Sequence, residues 1–412
     1  MDTQTVLEWS DRYLFRNYRR AAVAFVRGQG ARLWDLDGRE YLDFVAGIAV
    51  TSLGHGHPVL VRAVCEQVAR YVHVSNLYHI PEQAKAARLL AERSGLDRVF
   101  FCNSGAEANE AAIKLARKWA KAHRSPQAYE IVVAHNSFHG RTLATVAATG
   151  NPRYQQGFDP LPEGFRFVPY NDLAAAQAAV GPLTCAVLME PVQGEGGVIP
   201  ADPDYLRGLQ DLCRQEGILF MLDEVQTGVG RTGAWFAFQR YGLQPDVVTL
   251  AKGLGGGVPV GAVLAREDVA AAFAPGDHGS TFGGNALAAA AVCAVLETLE
   301  AEGLVDHAAR VGDRLQAQLR SLAERHPSVR EVRGVGLLVA VDLEVDAGMV
   351  EAACRERGLL VNAVRPRTLR LCPPLVVSAE EVDQAVEILE QALGAVGDPA
   401  AAGGVGHPHE RR

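Results

Sequence analysis

The chain has 412 residues, of which 48% are hydrophobic and 21% charged, a composition typical of a globular protein with roughly two or three domains. Its net charge of −8 argues against nucleic acid as the main partner, and no apolar run approaches the ~20 residues of a membrane-spanning helix. No secretory signal is visible, and the seven cysteines lack the C-x-x-C spacing of a zinc site. We therefore expect a cytoplasmic protein without membrane attachment and without a bound metal ion.

Short strand-like pieces occur in the first sixty residues, with a turn at Asp37-Gly38. From about residue 82 onwards, strands and helices alternate. Helices are predicted at 81–94, 105–123 and 202–217, and strands at 97–102, 130–135, 184–190, 218–225, 246–252 and 258–265. This alternation is typical of an α/β fold with a mainly parallel sheet covered by helices. One long helical stretch is predicted at 284–326, followed by a compact α+β unit with helices at 347–357 and 378–395.

Lysine is rare in this chain, which uses arginine for most of its positive charges. Four of its five lysines lie in helix-like segments, whereas Lys252 follows Val247, Val248 and Leu250 and precedes Gly253. Such an apolar run is typical of a buried strand. A desolvated lysine amine can lose its proton and form an imine with a carbonyl, which arginine cannot do. By position alone, Lys252 is either a strand-end lysine that reaches solvent or a catalytic amine.

Ligands bind at the carboxyl ends of the strands in open parallel sheets. The residues that follow the predicted strands include Ser104 and Gly105, Phe138 to Arg141, Glu190 to Glu195, Asp223 to Gln226, and Lys252. Ser104 and Glu107 form an S-x-x-E capping box, and a helix start at a strand end offers free amides to a phosphate. By itself the motif also fits an ordinary helix start.

A second pattern, G-x-G-x-x-G at Gly228, Gly230 and Gly233, favours a dinucleotide-binding dehydrogenase. Two features argue against it. The segment "DEVQT" separates the strand from the first glycine, and the next strand ends in Lys252 instead of the acidic residue that binds a ribose. A nicotinamide-dependent oxidoreductase therefore stays a remote alternative.

Asp223 follows five apolar residues, and a buried carboxylate needs a partner. Pyridoxal phosphate requires a lysine for its aldehyde, a carboxylate at its pyridinium nitrogen and amides for its phosphate. Lys252, Asp223 and the helix start at 104–106 would meet these needs at three strand ends. The predicted cofactor is therefore pyridoxal 5′-phosphate.

Several segments resemble, in the same order, blocks of the class III (subgroup II) aminotransferases of fold type I. They include "NSGAEANEAAIKLAR", "FHGRT", "MEPVQGEGGV", "LDEVQTGVGRTG", "LAKGLGGGVPVGA" and "HGSTFGGNALA". The likeness runs from about residue 15 to 395. It implies a large cofactor-binding domain at 61–300 and a small α+β domain made from 1–60 and 301–397. The composition of the C-terminal segment separately predicts a disordered tail at 398–412.

The resemblance also implies roles in cofactor binding at matching positions. Lys252 would carry the cofactor and move the proton, and Asp223 would pair with the ring nitrogen. The other implied contacts are the phosphate with Ser104, Gly105 and Ala106, the two ring faces with Phe138 and Val225, and the 3′-oxygen with Gln226. Thr281 would reach the phosphate of the neighbouring subunit's cofactor, so that the active sites would be shared in a homodimer.

For the substrate, the resemblance implies that Arg141 binds the carboxylate remote from the reacting amine and that Ser280 lies beside the substrate. Glu195 and Arg370 resemble the family's switchable pair. An ω-amine donor has no carboxylate at its reacting carbon, so Glu195 should then cover Arg370. Glutamate and 2-oxoglutarate do carry one there, so Glu195 should swing away.

The implied reaction is a ping-pong transfer of the ω-amino group of N2-acetyl-L-ornithine to 2-oxoglutarate, in arginine biosynthesis. Relatives act instead on ornithine, 4-aminobutyrate, succinylornithine or a carrier-protein-bound lysine of lysine biosynthesis. Arg365 and Arg367 depart from the family pattern and leave the acyl group of the donor open. A catalytically silent binding protein on the same scaffold is a further alternative.

Overall fold

A computed structural model describes residues 1–397 of the chain. The tail predicted at 398–412 lies outside the described residues. Within residues 1–397, no helix combines the length and the apolar character needed to span a membrane.

The N-terminal part contains helices that were not predicted from the sequence, including those at 3–13 and 58–70. Its elements are α1 (Thr3–Tyr13), β1 (Phe25–Gln29), β2 (Arg32–Asp35), β3 (Glu40–Asp43), α2 (Ala46–Ala49), α3 (Pro58–Arg70) and α4 (Pro81–Ser94). The side chain of Asp2 accepts a hydrogen bond from the Thr5 amide at 2.8 Å and caps α1. The predicted helix at 81–94 agrees with α4.

The middle of the chain forms the alternating strands and helices that the sequence predicts. They are β4 (Arg98–Cys102), α5 (Gly105–His123), β5 (Glu130–Ala134), α6 (Leu143–Ala148), α7 (Pro152–Gln155), β6 (Phe165–Val168), α8 (Leu173–Ala179), β7 (Thr184–Met189), β8 (Val192–Gln193), β9 (Ile199–Pro200), α9 (Pro203–Glu216), β10 (Leu219–Asp223), α10 (Ala237–Arg240), β11 (Val247–Leu250), β12 (Gly261–Ala265), α11 (Glu267–Ala270) and α12 (Ala286–Ala301).

Seven of these strands form one sheet in the order β4-β12-β11-β10-β7-β5-β6. The strands β6, β5, β7, β10 and β11 run parallel to one another, whereas β12 is antiparallel to both β11 and β4. The predicted α/β fold with a mainly parallel sheet is confirmed. Because β4, β5, β7, β10 and β11 point the same way, their carboxyl ends meet at one edge of the sheet.

Apolar residues cover both faces of this sheet. Successive strand residues point to opposite faces: Val247 packs in the cluster that contains the buried side of α5, whereas Val248 packs in the cluster that contains α9 and α12. Burial on both faces explains why these strands are apolar throughout instead of alternating. It also makes the sheet a rigid support for the residues that follow its strands.

The C-terminal part corrects one prediction. Its elements are α13 (Leu304–Arg325), β13 (Val329–Val335), β14 (Leu338–Leu343), α14 (Ala347–Glu356), β15 (Leu359–Leu360), β16 (Asn362–Arg365), β17 (Thr368–Leu371) and α15 (Ala379–Gly397). The single helical stretch predicted at 284–326 is wrong, because α12 and α13 are separate helices. Gly303 lies between them with φ +61°, a left-handed conformation that glycine adopts without steric cost.

Two four-stranded sheets and the two-stranded pair β8-β9 complete the fold of the described residues. The strands β13-β14-β17-β16 form an antiparallel sheet, and β1-β2-β3-β15 form another. In the second, Leu42 of β3 pairs in parallel with Leu359 of β15, so the N-terminal and C-terminal segments share a sheet. The division into domains at 1–60, 61–300 and 301–397 stays a prediction.

Candidate active site

A cavity of about 400 Å³ opens at the carboxyl edge of the seven-stranded sheet. It brings together most of the residues predicted for the site: Ser104, Gly105, Ala106, Phe138, Arg141, Glu195, Asp223, Val225, Gln226 and Lys252. These residues come from segments far apart in the chain. They meet because each follows the carboxyl end of a strand, either directly or after a short connecting segment, and these strand ends lie at the same edge of the sheet.

Lys252 follows β11 and lines the cavity. Its φ of +41° is unusual for a residue other than glycine, and such strain is commonly found at functional positions. Burial lowers the pKa of Lys252, while the charges of Glu195 and Arg370 act on it in opposite directions. A lowered pKa makes the neutral, nucleophilic amine more accessible near neutral pH.

Asp223 ends β10 and is buried, as predicted. Its Oδ2 accepts hydrogen bonds from Asn109 Nδ2 at 2.7 Å and lies 2.8 Å from His139 Nδ1. Its Oδ1 accepts a hydrogen bond from the Val225 amide at 3.0 Å. These bonds fix the carboxylate at the cavity wall, where it can face a ring nitrogen.

The N-terminus of α5 forms a second wall of the cavity. Ser104 Oγ accepts a hydrogen bond from the Glu107 amide at 3.2 Å, as a capping box requires. The other half of the predicted box is wrong, because the Glu107 carboxylate accepts a hydrogen bond from the Asn103 amide at 2.7 Å, one residue earlier. The first amides of a helix lack partners within it, so those of Gly105 and Ala106 can bind an anion.

Gly105 is required by the close approach of α5 to the loop after β10. A Cβ atom built on Gly105 would lie 2.8 Å from Val225 Cγ1 and 2.9 Å from Val225 Cγ2. Val225 therefore closes one side of the cavity against the helix start. Phe138 lines the same cavity and donates its backbone amide to Glu190 Oε2 at 3.1 Å.

Arg141 is held by aromatic rings. Its guanidinium carbon lies 3.8 Å from the centroid of the Tyr154 ring and 5.4 Å from that of Phe138. The two rings meet edge to face with their centroids 5.7 Å apart. The guanidinium thus lies over aromatic rings, which do not occupy its N–H groups and leave them available to a carboxylate.

Glu195 and Arg370 are paired, with Glu195 Oε1 2.5 Å from Arg370 Nη1. Arg370 is only 1% exposed and also donates to Gln226 Oε1 at 3.2 Å and to Asn362 Oδ1 at 2.7 Å. Burial opposes ionisation of Glu195, but Arg370 and Lys252 hold the pKa of its carboxyl below the ordinary value. The pair is therefore ionised, with Glu195 covering the arginine. Movement of Glu195 during turnover stays a prediction.

Ser280 and Thr281 are not brought into this cavity. They line a second one, of about 760 Å³, together with Asn76, Gln83 and His278. Ser280 Oγ accepts a hydrogen bond from Asn103 Nδ2 at 3.2 Å, which is its link to the first cavity. Thr281 is exposed. Its predicted contact with a cofactor of the neighbouring subunit stays a prediction.

Three buried polar residues of the site have roles that were not predicted from the sequence. Asn109 and His139 hold Asp223, and Glu190 accepts hydrogen bonds from the Phe138 and Gly194 amides. Burial, and then the negative charge of Asp223, raise the pKa of Glu190 well above its ordinary value. For Asn109 a signal was present, since an asparagine among Ala108, Ala111 and Ala112 is unusual on the apolar side of a helix.

The G-x-G-x-x-G pattern has a packing role. A Cβ atom on Gly233 would lie 2.7 Å from Ala309 Cβ, and one on Gly230 would lie 3.0 Å from Leu375 Cδ1. The three glycines lie in turns, and α10 begins only at Ala237. The pattern therefore lacks the strand–glycine–helix arrangement that dinucleotide binding needs.

The chemical groups of the cavity fit pyridoxal phosphate. Lys252 supplies an amine with a lowered pKa, Asp223 a fixed carboxylate, and α5 two free amides beside a glycine that admits no Cβ. Phe138 and Val225 supply apolar surfaces for a ring. The cavity of about 400 Å³ is also within the size range of small-molecule sites.

Comparisons with known proteins show the family of this chain. The family model "Aminotransferase class-III" matches residues 13–393. The chain is 50% identical over 390 residues to the acetylornithine aminotransferase of Methanothermobacter thermautotrophicus, covering 94% of this chain and 98% of that protein. It is 54% identical over 388 residues to the acetylornithine aminotransferase of Gloeobacter violaceus, covering 94% and 97%.

A solved structure shows the same fold. The ornithine aminotransferase of Toxoplasma gondii superimposes with a TM-score of 0.93 at 37% identity and covers 96% of each chain. Since the family model and these relatives extend over nearly the whole of the described residues, this chain belongs to the class-III aminotransferases.

Proposed function

We propose that this protein transfers the ω-amino group of N2-acetyl-L-ornithine to 2-oxoglutarate. The products are N-acetyl-L-glutamate 5-semialdehyde and L-glutamate, and the reaction belongs to arginine biosynthesis. The observation that carries the proposal is the Glu195–Arg370 pair, at 2.5 Å, with Glu195 lining the same cavity as Lys252 and Arg141. The names of the relatives at about half identity support the choice of donor.

Pyridoxal phosphate is the cofactor of this family, and when bound it supplies an aldehyde for the amino group and a ring that accepts electrons from the adjacent carbon. Lys252 would hold the cofactor and would serve as the base that moves the substrate's proton. Asp223, oriented by Asn109 and His139, would keep the ring nitrogen protonated. The amides of Gly105 and Ala106 would bind the phosphate.

Two arginines select the substrates. Arg141 binds the carboxylate remote from the reacting amine in both half-reactions. Arg370 binds a carboxylate only where the reacting carbon carries one, as in glutamate. With an ω-amine donor, Glu195 covers Arg370. A buried arginine without a partner is unfavourable, so the cover matters most for the ω-amine donor.

A homodimer is part of the proposal, with Thr281 of the partner subunit completing the phosphate site. Its support is that Thr281 lies outside the Lys252 cavity, on a surface that exposes large apolar side chains. A cytoplasmic location also stays a prediction.

The proposal is tested with a panel of amino donors and 2-oxoglutarate, ranked by kcat/KM. The panel contains acetylornithine, ornithine, 4-aminobutyrate, succinylornithine, acetyl-lysine and the carrier-bound lysine. We expect acetylornithine to rank first and Lys252→Ala to abolish turnover. A higher kcat/KM for the carrier-bound lysine would move the enzyme to lysine biosynthesis. Absence of turnover with every donor, despite bound cofactor, would indicate a binding protein.

A further inference from the structure

Glu195 lies in a five-residue loop at the tip of a small hairpin. The strands β8 and β9 pair through Val192 with Pro200 and Gln193 with Ile199, and residues 194–198 connect them. We call residues 194–198 the Glu195 loop. Three of its residues are glycines, and Gly197 and Val198 have φ of +111° and +52°. A glycine-rich backbone has many accessible conformations, so this loop needs an external support to hold one of them.

Arg333, in β13, supplies that support from another sheet. Its Nη2 donates to the carbonyl oxygen of Gly197 at 2.7 Å, and its Nε lies 3.1 and 3.2 Å from the carbonyl oxygens of Gly197 and Val198. One guanidinium thus binds two consecutive carbonyl groups at the end of the Glu195 loop.

Asp342, in β14, holds Arg333 in place through both carboxylate oxygens. Arg333 Nη1 lies 2.7 Å from Asp342 Oδ2, and Arg333 Nη2 lies 2.9 Å from Asp342 Oδ1. Burial opposes ionisation, but hydrogen bonds from Arg333, Thr368 and Arg330 lower the pKa of Asp342 to about 2. The two-pronged geometry leaves the guanidinium little rotational freedom.

Arg333 and Arg370 project from the same face of one sheet. Arg333 pairs with Ala340, Ala340 pairs with Arg370, and Arg370 pairs with Asn362 across four adjacent strands. Residues opposite one another in a sheet point to the same side. One face therefore binds the Glu195 loop twice, at the Glu195 carboxylate through Arg370 and at the backbone of 197–198 through Arg333.

We propose that Arg333, oriented by Asp342, is a positioning residue that keeps the backbone of the Glu195 loop in place while substrates alternate. With the backbone held, only the Glu195 side chain moves on and off Arg370. This inference rests on the proposed function, in which Glu195 covers Arg370 for one substrate and leaves it for the other. Loss of the support would let the loop carry Glu195 away from Arg370 and expose the arginine to dicarboxylates.

The test compares Arg333→Met with the control Arg330→Ala. Arg330 also binds Asp342, at 2.8 Å, but its side chain is 55% exposed and its hydrogen bond goes to Asp342 rather than to the Glu195 loop. We expect Arg333→Met to change the ratio of kcat/KM for acetylornithine to kcat/KM for glutamate by about tenfold in favour of glutamate. The ratio should stay unchanged in Arg330→Ala. Arg333→Lys, which keeps the charge but not the fork, should behave like Arg333→Met.

A second background separates positioning from a general loss of stability. In a Glu195→Ala protein there is no carboxylate to position. The Glu195→Ala/Arg333→Met double variant should therefore have the same ratio of kcat/KM for acetylornithine to kcat/KM for glutamate as Glu195→Ala alone. An equal tenfold change in both backgrounds would overturn the proposal.

Amide hydrogen exchange gives a readout that does not depend on turnover. In the resting holoenzyme, amides of residues 194–198 should exchange faster in Arg333→Met than in the wild type and Arg330→Ala. Unchanged exchange would refute the support by Arg333. If instead exchange responds as expected but the wild type transfers no amino group from any ω-amine, the proposed function fails and the structural role of Arg333 stands.

Discussion

At the scale of single residues, Arg141 shows how a guanidinium can be held in place without a counter-charge. Tyr154, in α7, presents its ring 3.8 Å from the guanidinium carbon. The neighbouring Gln155 side chain donates to the Thr149 carbonyl at 3.0 Å and ties α7 to the end of α6. A carboxylate in place of the ring would compete with the substrate for the same N–H groups, whereas an aromatic face does not.

We therefore expect Tyr154→Leu to weaken binding of every substrate that carries a remote carboxylate. A cation–π contact contributes about 0.5–2 kcal/mol, which corresponds to a roughly 2- to 30-fold rise in KM. Tyr154→Phe keeps the ring and is the matched control, with KM close to that of the wild type. Steady-state kinetics with acetylornithine and with glutamate check this. Equal losses in the two variants would assign the effect to the hydroxyl and contradict the stacking argument.

At the scale of elements, the start of α5 is shaped by its contact with the loop after β10. A Cβ atom built on Gly105 would lie less than 3 Å from both γ-carbons of Val225. Valine has few χ1 rotamers and cannot turn aside easily. A side chain at position 105 must therefore move the helix start, and with it the two amides that we propose as the phosphate site.

Gly105→Ala should lower the affinity for pyridoxal phosphate by about 5- to 150-fold, since the close contact costs on the order of 1–3 kcal/mol. Titration of the apoprotein with the cofactor, followed by absorbance, measures this. Gly394→Ala in α15 is the control, because a Cβ there meets no atom within 4 Å and alanine favours a helix. Unchanged cofactor affinity in Gly105→Ala would contradict this prediction. Either the helix start adapts to the methyl group, or the phosphate does not bind there.

At the scale of the whole molecule, a surface beside Thr281 has the character of an interface. Leu77, Tyr78 and Phe282 are 83%, 69% and 60% exposed. Asn76 donates to the carbonyl oxygens of Ser280 and Gly283 at 3.2 and 2.9 Å, so these apolar residues belong to adjoining segments. Clustered large apolar side chains on a surface commonly mark a protein–protein contact.

We expect the wild type to sediment as a dimer and the double variant Leu77→Asp/Phe282→Asp to sediment as a monomer. It should also bind pyridoxal phosphate more weakly, because Thr281 of the partner subunit would no longer reach the phosphate. Met349→Asp, at a 54% exposed position on α14, is the matched control and should stay dimeric. A double variant that remains a dimer with normal cofactor affinity would place the interface elsewhere.

Local patterns predicted the elements that depend on neighbours in the chain. Apolar periodicity and capping residues were enough to find α4 and α5, and the apolar runs before Asp223 and Lys252 were enough to find β10 and β11. The break at Gly303 was missed because the residues on both sides favour helix, and only the left-handed φ of the glycine separates α12 from α13. The Glu107 contact was misassigned because the motif does not say which of two adjacent amides the carboxylate binds.

By itself, the sequence determined the family, the class of fold and the strand ends at which the reactive residues lie, because these depend on patterns among residues close together in the chain. Only the tertiary structure decided how those residues are supported. Asn109 and His139 bind Asp223 across 114 and 84 positions, and Arg333 reaches Gly197 across 136. Side-chain partners so far apart are chosen by the packing of sheets and helices, and no local periodicity records them.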